Sequence, residues 1–191
     1  MKQNPLAALA AEVGRMNLPN RLTLLRIALE PVYLLLLWLP AYDWLALAVF
    51  VAASLTDTLD GRIARARGLI TNFGKFMDPI ADKLLTHTAF IMLTAMGRLD
   101  VVSCIIFIAR EFVVSGLRLV AVEQGHVIAA GMSGKVKTVL QMALVMALTA
   151  RLDLRGLGLP VRLLTLATAA MTLYSMVEYV WQNRAVLGGD R

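Results

Sequence analysis

The sequence predicts an all-α integral membrane protein built as a six-transmembrane-helix bundle. Of its 191 residues, 59% are hydrophobic and only 17% are charged, whereas about a quarter of the residues of a soluble domain are charged. Several apolar stretches are close to the ~20 residues that an α-helix needs to cross a bilayer. These two observations indicate that nearly the whole chain is membrane domain.

Turns that contain proline, glycine or charge separate the predicted membrane spans. Pro40 and Asp43 follow the first span, and residues 97–100 follow the third. An even number of crossings places both termini on the same side of the membrane. The predicted spans are residues 22–39, 44–64, 76–96, 101–122, 136–150 and 161–180.

The domain organisation predicted from these spans is simple. Residues 18–184 form the membrane domain, and residues 185–191 form a C-terminal tail. Residues 1–17 carry a modest apolar stripe, which fits either a short interfacial helix or an extension outside the fold.

Basic residues are unevenly distributed over the predicted loops. Most of the nineteen Lys and Arg residues lie near the two termini and in the loops after the second and fourth spans. Positive charge marks cytosolic loops, so both termini are predicted to be cytosolic. The net charge of +6 is ascribed to anionic lipids and not to nucleic acid, because there is no soluble basic domain. Cys104 is the single cysteine, which excludes an intrachain disulfide.

Four carboxylates in this apolar sequence form the candidate site. Asp57 and Asp60 are three residues apart near the end of the second span, and Asp78 and Asp82 are four apart at the start of the third. A helical hairpin would bring the two pairs together. Each carboxylate at membrane depth costs roughly 2.5–3.5 kcal/mol, and neighbouring carboxylates repel one another. Oxygen ligands of this kind predict one or two Mg²⁺ or Mn²⁺ ions.

Small and polar residues accompany the aspartates. Gly61 and Ala64 have almost no side chain, so a ligand could approach the backbone between the carboxylates. Asn20 and Thr23 share one face of the first span and are predicted to face a site inside the bundle. Together with the metal ions, these residues indicate a phosphate-type ligand at the cytosolic ends of the spans.

The spacing Asp-x2-Asp-Gly-x2-Ala-Arg-x8-Gly-x3-Asp-x3-Asp over residues 57–82 resembles the signature of the CDP-alcohol phosphotransferases. All eight fixed positions are present, and the flanking segments 17–27, 73–85, 109–121 and 134–138 resemble those of bacterial members that make acidic phospholipids. The resemblance covers roughly residues 16–181 and leaves the first fifteen residues without a counterpart.

The resemblance implies an enzyme that transfers the phosphatidyl group of CDP-diacylglycerol to sn-glycerol 3-phosphate and releases CMP. It implies that the four aspartates bind the metal ions and that Asp82 is also the general base. It further implies a homodimer among the lipids of the bacterial cytoplasmic membrane, with its active site on the cytosolic side. The CDP pocket would be lined by Asn20, Thr23, Asp60, Gly61, Arg65 and Gly74.

An acceptor that carries a phosphate needs fixed positive charge, which arginine and lysine supply. Arg110 and Arg118 lie eight residues apart on the fourth span, close to one helix face. Lys135 opens the fifth span, where free backbone N–H groups also attract anions. These three residues are predicted to bind the acceptor phosphate. Lys137 fits this clamp or a lipid headgroup equally well.

Other interpretations stay open for particular residues. The alternative for Arg110 is an ion pair with a buried carboxylate such as Glu111 or Glu178. Glu178, together with Tyr174 and Tyr179, could support the site from the sixth span or anchor that span at the interface.

Two alternative functions also stay open. The same chemistry could use another alcohol acceptor, namely serine, inositol phosphate or phosphatidylglycerol. An acidic cluster inside the membrane could instead belong to a divalent-cation transporter.

Overall fold

The computed structural model describes residues 17–67, 72–129 and 131–187, and all regular elements in these ranges are helical. The all-α prediction is therefore confirmed, and each predicted span overlaps one long helix. A 3₁₀ turn (Pro40–Tyr42) follows the first helix, and a π-helical turn (Asp153–Leu157) precedes the sixth. The helices are α1 (Leu18–Trp38), α2 (Asp43–Arg67), α3 (Asn72–Ala95), α4 (Val101–Glu123), α5 (Met132–Thr149), α6 (Gly158–Gln182) and the short α7 (Arg184–Leu187).

Membrane insertion is supported most directly by α6. Within the described ranges, α6 alone is long and apolar enough to cross a membrane by length and composition. Helix α4 is of similar length but contains Arg110, Glu111 and Arg118. The six crossings and the cytosolic position of the termini stay predictions. The predictions for residues 1–16 and 188–191 lie outside the described residues.

The chain divides into two compact units, Met1–Thr88 and Ala89–Arg191, and the boundary falls inside α3. In the first unit, α1 packs along α2. The rings of Tyr33 and Phe50 are fully buried, with centroids 5.4 Å apart. Asn17 caps α1 by accepting a hydrogen bond from the N–H of Asn20 at 3.1 Å. The helix ends where Leu39 becomes extended, as expected for a residue that precedes proline.

In the second unit, α6 packs against both α4 and α5, and α7 packs against α4. The end of α3 joins this unit through Phe90, whose ring centroid lies 4.8 Å from that of Phe107 on α4. Helix α5 contributes Leu144, Val145 and Leu148 to the buried core. These contacts hold α4, α5 and α6 together, and the candidate acceptor site lies on these three helices.

In the second unit the turn before α4 lies where the sequence predicts it, whereas the start of α5 differs from the prediction. Gly97, with φ of 71°, makes the turn before α4, and Asp100 caps that helix by accepting from the N–H of Ser103 at 2.8 Å. Helix α5 begins at Met132, several residues before the predicted start of the fifth span at residue 136. Lys135 therefore lies inside the first turn of α5.

Candidate active site

The four aspartates lie on helical backbone, as the motif requires. Asp57 and Asp60 belong to α2, and Asp78 and Asp82 belong to α3. Only residues 68–71 separate the two helices. The side chains of these aspartates lie outside the described residues, as do Arg65 and the surroundings of Gly61 and Gly74. Among the side chains that the structure does describe, no group of three acidic, histidine or cysteine residues could hold a metal ion.

Helix α1 buries a polar stripe, as predicted for Asn20 and Thr23. Asn20 is 6% exposed and Thr23 is fully buried. Arg26 and Glu30 continue the same face, and both are buried. Polar side chains that leave water must find partners inside the protein. The first helix therefore presents hydrogen-bonding groups to the interior, which is the property required of a ligand-binding wall.

A network of charged side chains connects α4, α5 and α6. Arg110 donates from Nη1 to Oε1 of Glu111 at 2.8 Å, and Nζ of Lys137 contacts the same oxygen. Nε of Arg110 donates to the hydroxyl of Ser175 at 3.3 Å. Arg110 is 7% exposed and Lys137 is 4% exposed. This arrangement confirms the alternative proposed for Arg110, an ion pair with Glu111.

Glu111 is the shared partner of two cations in this network. Both Arg110 and Lys137 contact its Oε1 atom. Charges interact more strongly in a protein interior than in water. The network therefore places two buried cations side by side on α4 and α5, next to Ser175 of α6.

Arg118 occupies a different environment from Arg110. Its side chain is exposed, and its Nε atom donates to the hydroxyl of Tyr179 at 2.9 Å. The guanidinium carbon also lies 5.4 Å from the centre of the Tyr179 ring, within cation–π range. Tyr179 itself is buried against Val114 and Leu117. An exposed guanidinium on a buried support can meet a ligand from solvent.

Lys135 differs from the two arginines in that no contact of its side chain with another helix is described. Its side chain is exposed on the first turn of α5, and in the described part of the chain it makes no ion pair. Its backbone N–H donates to the carbonyl of Gly131 at 3.3 Å. The N–H groups that helix geometry leaves without an intrahelical partner are those of the residues just before Lys135, because α5 begins at Met132.

The residues of the predicted clamp thus differ in their environment. Arg110 and Arg118 both contact α6, whereas Lys135 is exposed. Lys137 is buried in the charge network.

Two further residues of this cluster, Glu111 and Ser175, were not identified as site residues from the sequence. A carboxylate beside an arginine within an apolar span was a usable signal for Glu111, because buried charges occur in pairs. Ser175 belongs to a stripe of hydroxyl residues at spacings of three and four on α6, with Thr168, Thr172 and Tyr179.

Helices that bury charged networks within apolar sequence are typical of membrane enzymes and transporters. Comparison with known proteins decides between these classes. Residues 16–180 match the family model of the CDP-alcohol phosphatidyltransferases, and the chain belongs to this family of enzymes.

Several named bacterial proteins are similar to this chain over about two thirds of its length or more. The CDP-diacylglycerol–glycerol-3-phosphate 3-phosphatidyltransferase of Bacillus subtilis is 41% identical over 178 residues, covering 85% of this chain and 89% of its own. A protein of the same name from Rickettsia bellii is 45% identical over 128 residues, covering 66% and 71%. A probable phosphatidylglycerophosphate synthase of Mycobacterium tuberculosis is 39% identical over 181 residues, covering 92% and 85%.

Proposed function

We propose that the protein transfers a phosphatidyl group from CDP-diacylglycerol to sn-glycerol 3-phosphate, giving phosphatidylglycerophosphate and CMP. Family membership supports the donor chemistry, and the names of the similar proteins support the acceptor. The single observation that carries the acceptor assignment is the cluster of two buried cations, Arg110 and Lys137, around Glu111, with Arg118 on the same helix as Arg110.

The donor half of the proposed site comprises Asp57, Asp60, Asp78 and Asp82. Four carboxylates on two consecutive helices are the hard oxygen ligands that Mg²⁺ or Mn²⁺ takes. Such a cation, when bound, neutralises charge on the diphosphate and on the departing CMP. Asp82 accepts the proton of the attacking hydroxyl.

The CDP moiety is proposed to lie against the polar face of α1 and the small residues of the motif. Asn20 and Thr23 supply hydrogen-bonding groups, and their burial supports this role. The set proposed for CDP is Asn20, Thr23, Asp60, Gly61, Arg65 and Gly74.

The acceptor half is proposed to lie on α4 and α5. Arg118 and Lys135 are exposed, so their charged groups can contact the phosphate of sn-glycerol 3-phosphate directly. Arg110 and Lys137 are buried and are proposed to act on the phosphate through their charge. A phosphate dianion gains more from these cations than serine, whose only anionic group is one carboxylate, so a phosphorylated acceptor is favoured.

The proposed setting is the bacterial cytoplasmic membrane, with the active site and both termini on the cytosolic side. The distribution of Lys and Arg over the loops supports this orientation, and α6 supports membrane insertion. We further propose a homodimer and lateral entry of the lipid donor from the bilayer.

Release of CMP by the purified protein in detergent tests the proposal. CDP-diacylglycerol and Mg²⁺ are supplied with sn-glycerol 3-phosphate, serine, inositol phosphate or phosphatidylglycerol in parallel. The proposal expects CMP with glycerol phosphate, and loss of release when the divalent cation is chelated. Equal or greater release with another acceptor would refute the acceptor assignment.

Two controls sharpen this experiment. Asp82→Asn should abolish turnover and preserve CDP binding, whereas Asp153→Asn, outside the motif, should leave turnover unchanged. Turnover retained in Asp82→Asn would remove this residue as the base. Cation flux into proteoliposomes without CMP release from any acceptor would identify a transporter instead.

A further inference from the structure

We infer that Tyr179 is a positioning residue that orients Arg118, so that the two terminal nitrogens of this arginine bind the acceptor phosphate end-on. The inference rests on the proposed function and adds the part that α6 plays in acceptor recognition. It assigns Tyr179 a role that neither packing nor membrane anchoring requires.

The geometry of the Arg118 guanidinium leads to this inference. A guanidinium can bind an anion through Nε and one terminal nitrogen, or through both terminal nitrogens. Nε of Arg118 already donates to the Tyr179 hydroxyl at 2.9 Å. No hydrogen bond or ion pair engages Nη1 or Nη2 within the described ranges, and the side chain is exposed. The end-on pair is therefore the one that Tyr179 leaves for a phosphate.

Tyr179 is suited to hold the arginine because it is itself held. Its side chain is 6% exposed and packs against Val114 and Leu117, both on the helix that carries Arg118. The guanidinium carbon lies 5.4 Å from the ring centre, so the cation–π contact and the hydrogen bond to the hydroxyl both hold Arg118 against Tyr179. A long arginine side chain normally loses much rotamer freedom when it binds a ligand. The contact with the buried tyrosine already restricts Arg118 before the ligand binds, so less freedom is lost on binding.

The second arginine of the site is held in the same way, which supports a common role for α6. Nε of Arg110 donates to the hydroxyl of Ser175, four residues before Tyr179. The Ser175 hydroxyl donates its own proton to the carbonyl of Thr172 at 3.0 Å, so it can only accept from the arginine. One face of α6 thus accepts a hydrogen bond from the Nε atom of each arginine.

If the role of Tyr179 were purely structural, removal of its hydroxyl would leave the KM for sn-glycerol 3-phosphate unchanged. Phenylalanine keeps the ring, its packing against Val114 and the cation–π contact, and it removes only the hydrogen bond. An interfacial anchor is also a poor description of a side chain that is 6% exposed. The hydroxyl is therefore the group to test.

Steady-state kinetics of Tyr179→Phe provide the test, with Tyr174→Phe as the matched control. Tyr174 lies on the same helix and is 59% exposed. We expect Tyr179→Phe to raise the KM for sn-glycerol 3-phosphate roughly tenfold, because a hydrogen bond to a charged group is lost. The KM for CDP-diacylglycerol and the thermal unfolding midpoint should stay as in the wild type. Tyr174→Phe should change none of these values.

A double-mutant cycle shows whether Tyr179 acts through Arg118. Lysine at position 118 keeps a charge but has no Nε to donate, so Tyr179→Phe should add no further rise in KM to Arg118→Lys. The same rise in both backgrounds would overturn the inference. An active wild type with an unchanged KM in Tyr179→Phe would overturn it and leave the proposed function standing. A wild type that releases no CMP with glycerol phosphate would overturn both.

Discussion

Gly134 of α5 lies directly against Arg110 of α4: a Cβ atom at position 134 would stand 3.2 Å from the Nη2 atom of that arginine. This separation is tighter than a normal carbon contact, so one of the two residues would have to move. Arg110 has little freedom to do so, because Glu111 and Ser175 hold its other nitrogens. The missing side chain of Gly134 therefore makes room for Arg110.

Substitution of Gly134 by alanine should impair acceptor binding without unfolding the protein. Alanine favours the helix by roughly 1 kcal/mol relative to glycine, so Gly134→Ala should not unfold the protein. The added methyl group should displace Arg110 and raise the KM for sn-glycerol 3-phosphate several-fold. Gly116→Ala on α4 is the control, because a Cβ there meets no neighbour within 4 Å. Equal kinetics for the two variants would show that the contact at Gly134 does not matter for the acceptor.

Removal of the Glu111 charge should destabilise the protein strongly. Glu111 is the common partner of Arg110 and Lys137, both of which are buried. Glu111→Gln removes the carboxylate that these two buried cations share, and breaking a buried pair costs roughly 3–5 kcal/mol. The free energy of unfolding in detergent measures this loss. Glu123→Gln, at the exposed end of the same helix, should cost little.

Removal of one of the two cations tests whether Glu111 and Lys137 interact energetically. The double variant Glu111→Gln/Lys137→Met has one buried cation fewer than Glu111→Gln, so part of the lost stability should return. If the double variant is less stable than Glu111→Gln by the full cost of Lys137→Met, the two residues do not interact energetically.

The helices themselves were predictable from the sequence because each span is delimited by strong local signals. Pro40 ends the first helix, and Gly97 with Asp100 sets the turn before α4. The start of α5 was missed by several residues, because Gly131 and Gly134 are both plausible helix boundaries by residue type. Within α5, Gly134 lies against Arg110 of α4, and a tertiary contact of this kind leaves no local signal in the sequence.

The sequence indicated which helix carries the two arginines of the proposed acceptor site, but not the environment of each charged side chain. Arg110 and Arg118 share a helix face by spacing alone, and both contact α6. Sequence spacing does not tell which of Lys135 and Lys137 faces the interior, because they are two residues apart and α5 had no predicted register. The α5 register buries Lys137 beside Glu111 and exposes Lys135.

Acidification should remove the contribution of Asp100 to stability. Hydrogen bonds from the side chain and the N–H of Ser103 hold the pKa of Asp100 below its ordinary value. A group whose pKa is lowered by folding stabilises the protein above its ordinary pKa of about 3.9, and this stabilisation is lost as the pH falls through the folded value. Asp100→Asn keeps a capping oxygen but cannot titrate.

The pH dependence of the unfolding midpoint checks this assignment. At pH 7 the wild type should be more stable than Asp100→Asn by a few tenths to about 1 kcal/mol, from charge at the helix N-terminus. The difference should shrink as the pH drops below 4. Asp100→Ala should cost about 1 kcal/mol at pH 7, because the cap itself is lost. A difference between wild type and Asp100→Asn that stays constant down to pH 3 would contradict the assignment.

Replacement by methionine, which keeps the side-chain length and removes the charge, should affect stability at Lys137 but not at Lys135. Lys135 is exposed, so Lys135→Met should leave the unfolding midpoint unchanged. If Lys135 contacts the acceptor phosphate, the KM for sn-glycerol 3-phosphate should rise roughly tenfold and become less sensitive to salt. Lys137 is buried on Glu111, so Lys137→Met should lower the unfolding midpoint as well as the activity. Unchanged kinetics in Lys135→Met would assign the acceptor phosphate to Arg118 without help from α5.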